Sequence, residues 1–182
     1  MSFNETPIKD LVIFEPRIFQ DERGYFFESY NLNTFKLAGL EYNFVQDNQS
    51  FSTYGTLRGL HLQRGEHAQA KLVRVTQGSV LDVAVDLRED SPTYLKHFSV
   101  ELSAENGKQL MIPRGFAHGF VVLSESATFQ YKVDNFYNQA SEDGIAYNDS
   151  KLNIDWKVSE TDIKLSAKDL KLGSLDDFCS RS

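Results

Sequence analysis

The sequence predicts an all-β fold, a sandwich or jelly-roll barrel, and three observations carry that prediction. Apolar residues recur at every second position through the middle of the chain, the rhythm of a strand with one face turned to a core. The turn-forming clusters "TQGS", "REDSP", "SAENG" and "LSESA" separate these runs at hairpin spacing. Helix signals are few and confined to short peripheral stretches.

In chain order, "NLNTFKLAG" offers Asn31 or Asn33 as an N-cap and Gly39 as a stop, which defines a short helix. "LRGLHLQ", residues 57–63, reads as a strand in which Arg58 and His61 have opposite parity and face opposite sides, unless Gly59 marks a bulge that turns them together. In "VLDVAVDLRED", Leu81, Val83, Val85 and Leu87 share one face and Asp82, Ala84 and Asp86 the other, the alternation of a half-buried strand. "HFSVEL" aligns Phe98, Val100 and Leu102, and "TFQYKVDNF" aligns Phe129, Tyr131 and Val133. After about residue 140 the strand rhythm fades into an expected irregular and helical extension wrapping the barrel. Within it, "LSAKDLKLG" offers a second helix capped by Ser166 and stopped by Gly173.

The 182 residues, 41% hydrophobic and 25% charged, suffice for one domain spanning 1–182. A net charge of -7 without a dense basic stripe argues against a nucleic-acid partner, so an anionic ligand must be met by a local cluster. No run of about 18 apolar residues and no basic head followed by an apolar stretch is found. A cytoplasmic protein with no membrane partner is expected. The single cysteine, Cys179, leaves neither an internal disulfide nor a cysteine-built metal site available.

The chemistry concentrates in "LRGLHLQRGEHAQAKLVRV", which sets Arg58, His61 and Lys71 among strand-forming residues. Alone, His61 reads as a satisfied core or rim histidine and Lys71 as a solvated strand end. Their pairing with a second unusual stretch, "LMIPRGFAHGFVVL", changes the balance. Its Pro113, Gly115 and His118 form a P-x-G-x-x-H pattern that resembles the second motif of the cupin superfamily of β-barrels. A metal-binding cupin adds an H-x-H pair and a glutamate. "GLHLQ" supplies one histidine, and His67 falls six residues later, past the expected strand end, so no metal is expected. A barrel mouth holding histidine, lysine, arginine and tyrosine suits proton abstraction beside a ketone: a base removes the α-hydrogen and a cation stabilises the enolate oxygen.

Across nearly its whole length the chain resembles the dTDP-4-dehydrorhamnose 3,5-epimerase family. The resemblance is carried in order by "DERGYFFESY", "FVQDNQS", "TLRGLHLQ", "HAQAKLVRVTQGSVLDVAVDLREDSPTY", "VELSAENGKQLMIPRGFAHGFVVLSE", "QYKVDNFY", "GIAYNDSKLNIDW" and "LSAKD". It implies a cupin-type jelly roll that inverts C3 and C5 of dTDP-4-keto-6-deoxy-D-glucose without a cofactor. His61 would be the base, supported by Asp169, although Ser166 and Asp169 equally fit a helix capping box. Lys71 would stabilise the enolate, and Tyr131 would be the acid on the opposite face. Arg23, Glu28, Gln46, Asp47, Asn48, Arg58, His118, Glu142 and Lys168 would contact the dTDP-sugar, with Tyr137 stacked on thymine; Arg23 and Glu28 also fit a surface ion pair. The resemblance further implies a homodimer in which an N-terminal strand crosses to the partner. Three rivals stay open: an epimerase acting at C3 or C5 alone, a metal-dependent cupin oxygenase, and a jelly-roll module that only binds carbohydrate.

Overall fold

The period-two runs do fold as strands, and the computed structural model, which describes residues 1–181, assembles them into two antiparallel sheets. Strands β1 (Ser2–Glu5) and β2 (Val12–Glu15) precede a small hairpin, β3 (Phe19–Asp21) and β4 (Gly24–Phe26), and helix α1 (Leu32–Leu37). Then come β5 (Gln46–Thr53), β6 (Leu57–Gln63), β7 (Lys71–Gln77), β8 (Ser79–Asp86) and β9 (His97–Ser103). They are followed by β10 (Gln109–Ile112), β11 (Phe116–Val122) and β12 (Ser126–Val133). A short strand, β13 (Glu142–Gly144), opens the C-terminal segment, which ends in helix α2 (Leu175–Cys179). One sheet runs β1-β2-β10-β7-β12-β5 and the other β13-β6-β11-β8-β9, with β3-β4 apart from both. This is the expected jelly-roll architecture with short peripheral helices.

Between the sheets, Val73, Val75, Leu110, Ile112 and Phe129 meet Val80, Ala84, Leu102, Phe116 and Phe120. Each large side chain removed from water here contributes roughly 1.5–3 kcal/mol. A second apolar layer lies on the far side of the five-stranded sheet, where Leu57, Leu60, Leu62, Leu81, Val83 and Val85 are covered by Ile145, Leu152, Trp156, Leu175 and Phe178. The C-terminal segment therefore wraps the barrel as expected. A third layer packs Phe35 of α1 against Phe14, Leu72 and Met111.

That covering overturns the half-buried reading of β8, in which every residue from Val80 to Asp86 is buried. The apolar face of Leu81, Val83 and Val85 meets the C-terminal wrap. The face carrying Asp82, with Val80 and Ala84, turns into the barrel rather than to water.

Helix α1 begins where expected, with the Asn31 carboxamide oxygen accepting from the backbone of Asn33 and Thr34. The second expected helix is a correction. "LSAKDLKLG" makes only a single 3-10 turn, Asp169–Lys171, from which Leu172 leaves with extended backbone. The true C-terminal helix starts afterwards at Ser174, whose hydroxyl and Asp177 form a reciprocal capping box.

Candidate active site

The local folding of β6 decides which side chains share the cavity. Opposite β11, His118 pairs with His61 but Phe120 pairs with Arg58, so the register slips by a residue between them. Gly59 sits at the slip with φ +133, and a Cβ there would lie 2.5 Å from the Gly119 Cα. Only glycine tolerates that backbone and that approach. With Gly59 absorbed as a bulge, Leu57, Leu60 and Leu62 all point to the outer apolar layer, while Arg58 and His61 both line the cavity. The bulge alternative is therefore the one realised.

The cavity, of about 380 Å³, is lined by Arg58, His61, Lys71, His118, Tyr131, Glu142, Lys168 and Asp169, with Asn48 on one side and Phe120 and Phe129 as its apolar wall. His61 Nε2 lies 2.6 Å from Asp169 Oδ1, and the aspartate side chain is only 4% exposed. Both atoms are buried and make no conventional hydrogen bond to any other described residue, so each depends on the other. The second carboxylate oxygen accepts the Ser166 hydroxyl at 2.6 Å. Burial alone would raise the pKa of Asp169, but the contacts with His61 and Ser166 outweigh it and bring it to about 2. Ser166 and Asp169 thus exchange capping contacts while the other oxygen of the same carboxylate meets His61.

Lys71 begins β7 with its side chain in this cavity, where desolvation lowers its pKa to about 8 against the opposing pull of Asp82 and Glu142. Its solvated-end reading is thereby corrected: the inward parity it shares with Val73 and Val75 carries it into the barrel. His118 is buried, with Nε2 at 2.9 Å from the fully buried Asp82 carboxylate. Burial depresses the His118 pKa, as do the neighbouring Lys71 and His61, and Asp82 opposes them. The Nε2 edge of His118 is thereby turned to Asp82, which fixes the orientation of the ring. Tyr131 stands on the facing sheet, and burial raises its phenol pKa, with Arg58 opposing.

At the rim, Tyr137 donates its hydroxyl to Glu142 Oε2 at 2.7 Å, and Lys168 pairs with the other oxygen of the same carboxylate. Burial raises the Glu142 pKa, but these two donors together bring it below its ordinary value. Gln46 donates to Asn48 at 2.9 Å and so braces a wall residue. Gln46 itself does not line the cavity, and three further expected contacts are not brought to it. Asp47 points to the outer face of its strand and pairs with Lys132 at 2.9 Å. Arg23 lies in the β3-β4 hairpin and is paired with Asp21 at 2.6 Å. Glu28, just beyond it, accepts from Asn31.

Sequence reasoning missed Asp82 as a cavity-side residue. The available signal was a carboxylate in the middle of an apolar strand, which burial penalises unless it is partnered. Among the described residues no three or more histidines, cysteines, aspartates or glutamates stand close enough together to hold a metal ion.

An imidazole braced by a carboxylate, a desolvated ammonium and a buried phenol around one barrel mouth define a class: an isomerase that works by moving protons on a cupin-type jelly roll. Comparison with known proteins narrows this. Residues 5–177 match the family model described as dTDP-4-dehydrorhamnose 3,5-epimerase, and the chain belongs to that family. It is 55% identical over 173 residues to the Salmonella typhimurium dTDP-4-dehydrorhamnose 3,5-epimerase, covering 94% of each chain. The crystal structure of the Elizabethkingia anophelis enzyme of the same name superimposes with a TM-score of 0.93 at 58% identity, covering 97% of each chain. A Legionella pneumophila dTDP-6-deoxy-D-glucose-3,5-epimerase in complex with dTDP-4-keto-L-rhamnose gives a TM-score of 0.92 at 47% identity, over 96% of this chain and 93% of that one.

Proposed function

We propose that the protein inverts C3 and C5 of dTDP-4-keto-6-deoxy-D-glucose to give dTDP-4-dehydro-L-rhamnose, and that His61, Lys71, Tyr131 and Asp169 do the chemistry. The supporting observation is their convergence on one cavity, the base from β6 and the acid from β12. The ketone acidifies the hydrogens on both neighbouring carbons. His61 takes one of them, and Asp169 stabilises the imidazolium that results. The charge left on O4 is met by the Lys71 ammonium. Tyr131, kept protonated by its burial, delivers a proton to the other face and recovers one from solvent. His61 gives its proton to solvent, and the same cycle serves the second carbon.

Arg58, Asn48, His118, Glu142 and Lys168 would hold the sugar and diphosphate, with Gln46 bracing Asn48, and Tyr137 would stack on thymine. The homodimer belongs to this proposal. The β3-β4 hairpin stands outside both sheets and exposes Phe19, Tyr25 and Phe26, at 52%, 65% and 71%. An apolar hairpin of this kind is what a partner subunit would cover. Exchange of N-terminal strands would carry Arg23 and Glu28 to the partner's cavity. The cytoplasmic setting is likewise part of the reading; among the described residues no helix is long and apolar enough to cross a membrane.

The test is washout of the C3 and C5 hydrogens of dTDP-4-keto-6-deoxy-D-glucose in deuterated water, followed by NMR. Wild-type protein labels both positions in the inverted product. His61→Asn abolishes labelling, and a variant that labels at the wild-type rate removes His61 as the base.

A further inference from the structure

We propose that Gln63 is a positioning residue for nucleotide recognition: its buried carboxamide holds the loop of residues 136–138, and with it Tyr137, in fixed register with the strand that carries His61. This rests on the reading of Tyr137 as the thymine platform.

The loop has no apolar anchor of its own. Its two aromatic side chains, Phe136 and Tyr137, are 64% and 54% exposed. Its position must therefore come from polar contacts, and Gln63 supplies the central set. Gln63 lies two residues after His61 on β6 and is only 6% exposed. Its Nε2 donates to the carbonyl of His67 at 3.0 Å and to that of Phe136 at 3.4 Å. Its Oε1 accepts the backbone N–H of Asn138 at 2.6 Å. One side chain thus grips the loop on both sides of Tyr137, at the carbonyl before it and the amide after it. Asn138 extends the grip, with its own carboxamide 3.0 Å from His67 Nε2.

The second attachment of Tyr137 returns to the same place. Its hydroxyl donates to Glu142, and Glu142 is the β13 residue paired with Gln63 across the sheet. Ring and backbone of Tyr137 are therefore both referenced to Gln63. A residue here must donate twice and accept once from inside the protein, which a carboxamide does and neither a carboxylate nor an aliphatic side chain does. Removing it leaves backbone groups of the loop without partners, at a cost that the loop avoids by moving.

The experiment measures, by calorimetry on the full chain, the Kd of dTDP and of inorganic pyrophosphate, which lacks the base. Gln63→Glu keeps the acceptor but loses both donors; Gln63→Met keeps the volume without charge and serves if the buried carboxylate compromises folding. Either variant is expected to weaken dTDP about tenfold, equivalent to about 1.4 kcal/mol. Pyrophosphate should change less than twofold, and a Tyr137→Ala background should show no further loss. Amide exchange at Asn138 should accelerate at least tenfold in Gln63→Met, which removes the acceptor of that N–H. Equal weakening of dTDP and pyrophosphate, losses that add to those of Tyr137→Ala, or unchanged dTDP affinity would overturn the proposal. If Tyr137→Ala binds dTDP as wild type does, the thymine-platform reading falls instead, and exchange at Asn138 alone then judges the hold of Gln63 on the loop.

Discussion

Replacing Asp169 by asparagine isolates the electrostatic half of the dyad, since the amide has nearly the same shape and no charge. The aspartate side chain is 4% exposed, and its pKa falls from an ordinary 3.8 to about 2. At about 1.4 kcal/mol per pKa unit, the surroundings favour the carboxylate over its neutral form by roughly 2–3 kcal/mol. His61 and Ser166 share that preference, so the part available to a developing imidazolium is on the order of 1–2 kcal/mol. Asp169→Asn should therefore lower kcat for C3 and C5 washout by about 5- to 30-fold. Stability gives an independent readout with a definite sign. A carboxyl whose folded pKa is depressed stabilises the fold above its unfolded value, and that contribution is lost as pH falls from about 4 through about 2. The denaturation gap between wild type and variant should be open at pH 7 and close across that acid window. A variant within twofold of wild-type kcat would refute the assignment of Asp169 as the support for the base, and a gap independent of pH would refute its charge as the cause.

Lys71, with a pKa lowered to about 8 by burial, sets an alkaline limit: kcat/KM should fall about tenfold per pH unit above 8, and Lys71→Arg, which stays charged, should lose that limb. The stability effect has the opposite sense, because a lysine whose folded pKa is depressed destabilises the fold below that pKa and is relieved between about 8 and 10.5. Lys71→Met should accordingly raise the Tm at pH 7 while lowering activity, and an unchanged or lower Tm would contradict the buried-ammonium account. Gly59→Ala combines a φ of +133 with a Cβ 2.5 Å from Gly119 Cα, and should cost about 2–4 kcal/mol by denaturant titration with loss of turnover. Gly24→Ala, where φ is +127 but no atom lies within 4 Å, is the control carrying strain without the clash.

Local pattern in the sequence specified the strand identities, the position of α1 and the residue types proposed for the acid-base chemistry. These follow from short-range physics: period-two alternation, turn residues and an asparagine cap act within a few positions of themselves. His61, Lys71 and Tyr131 were legible because basic and phenolic side chains stand out in strand-forming runs. Parity along a single strand misread β8, because it counts apolar neighbours but not what covers each face. The C-terminal wrap buried the face of Leu81, Val83 and Val85, and that turned Asp82 inward to meet His118. Tertiary structure also chose between the two parities of β6, since the slip at Gly59 depends on how closely β11 approaches. It limited "LSAKDLKLG" to one turn, with Asp169 at the His61 imidazole. It left Asp47, Arg23 and Glu28 outside the cavity of their own chain. Local pattern specifies which element forms, whereas the direction a side chain faces depends on contacts between residues far apart in the chain, and those exist only once the sheets have closed.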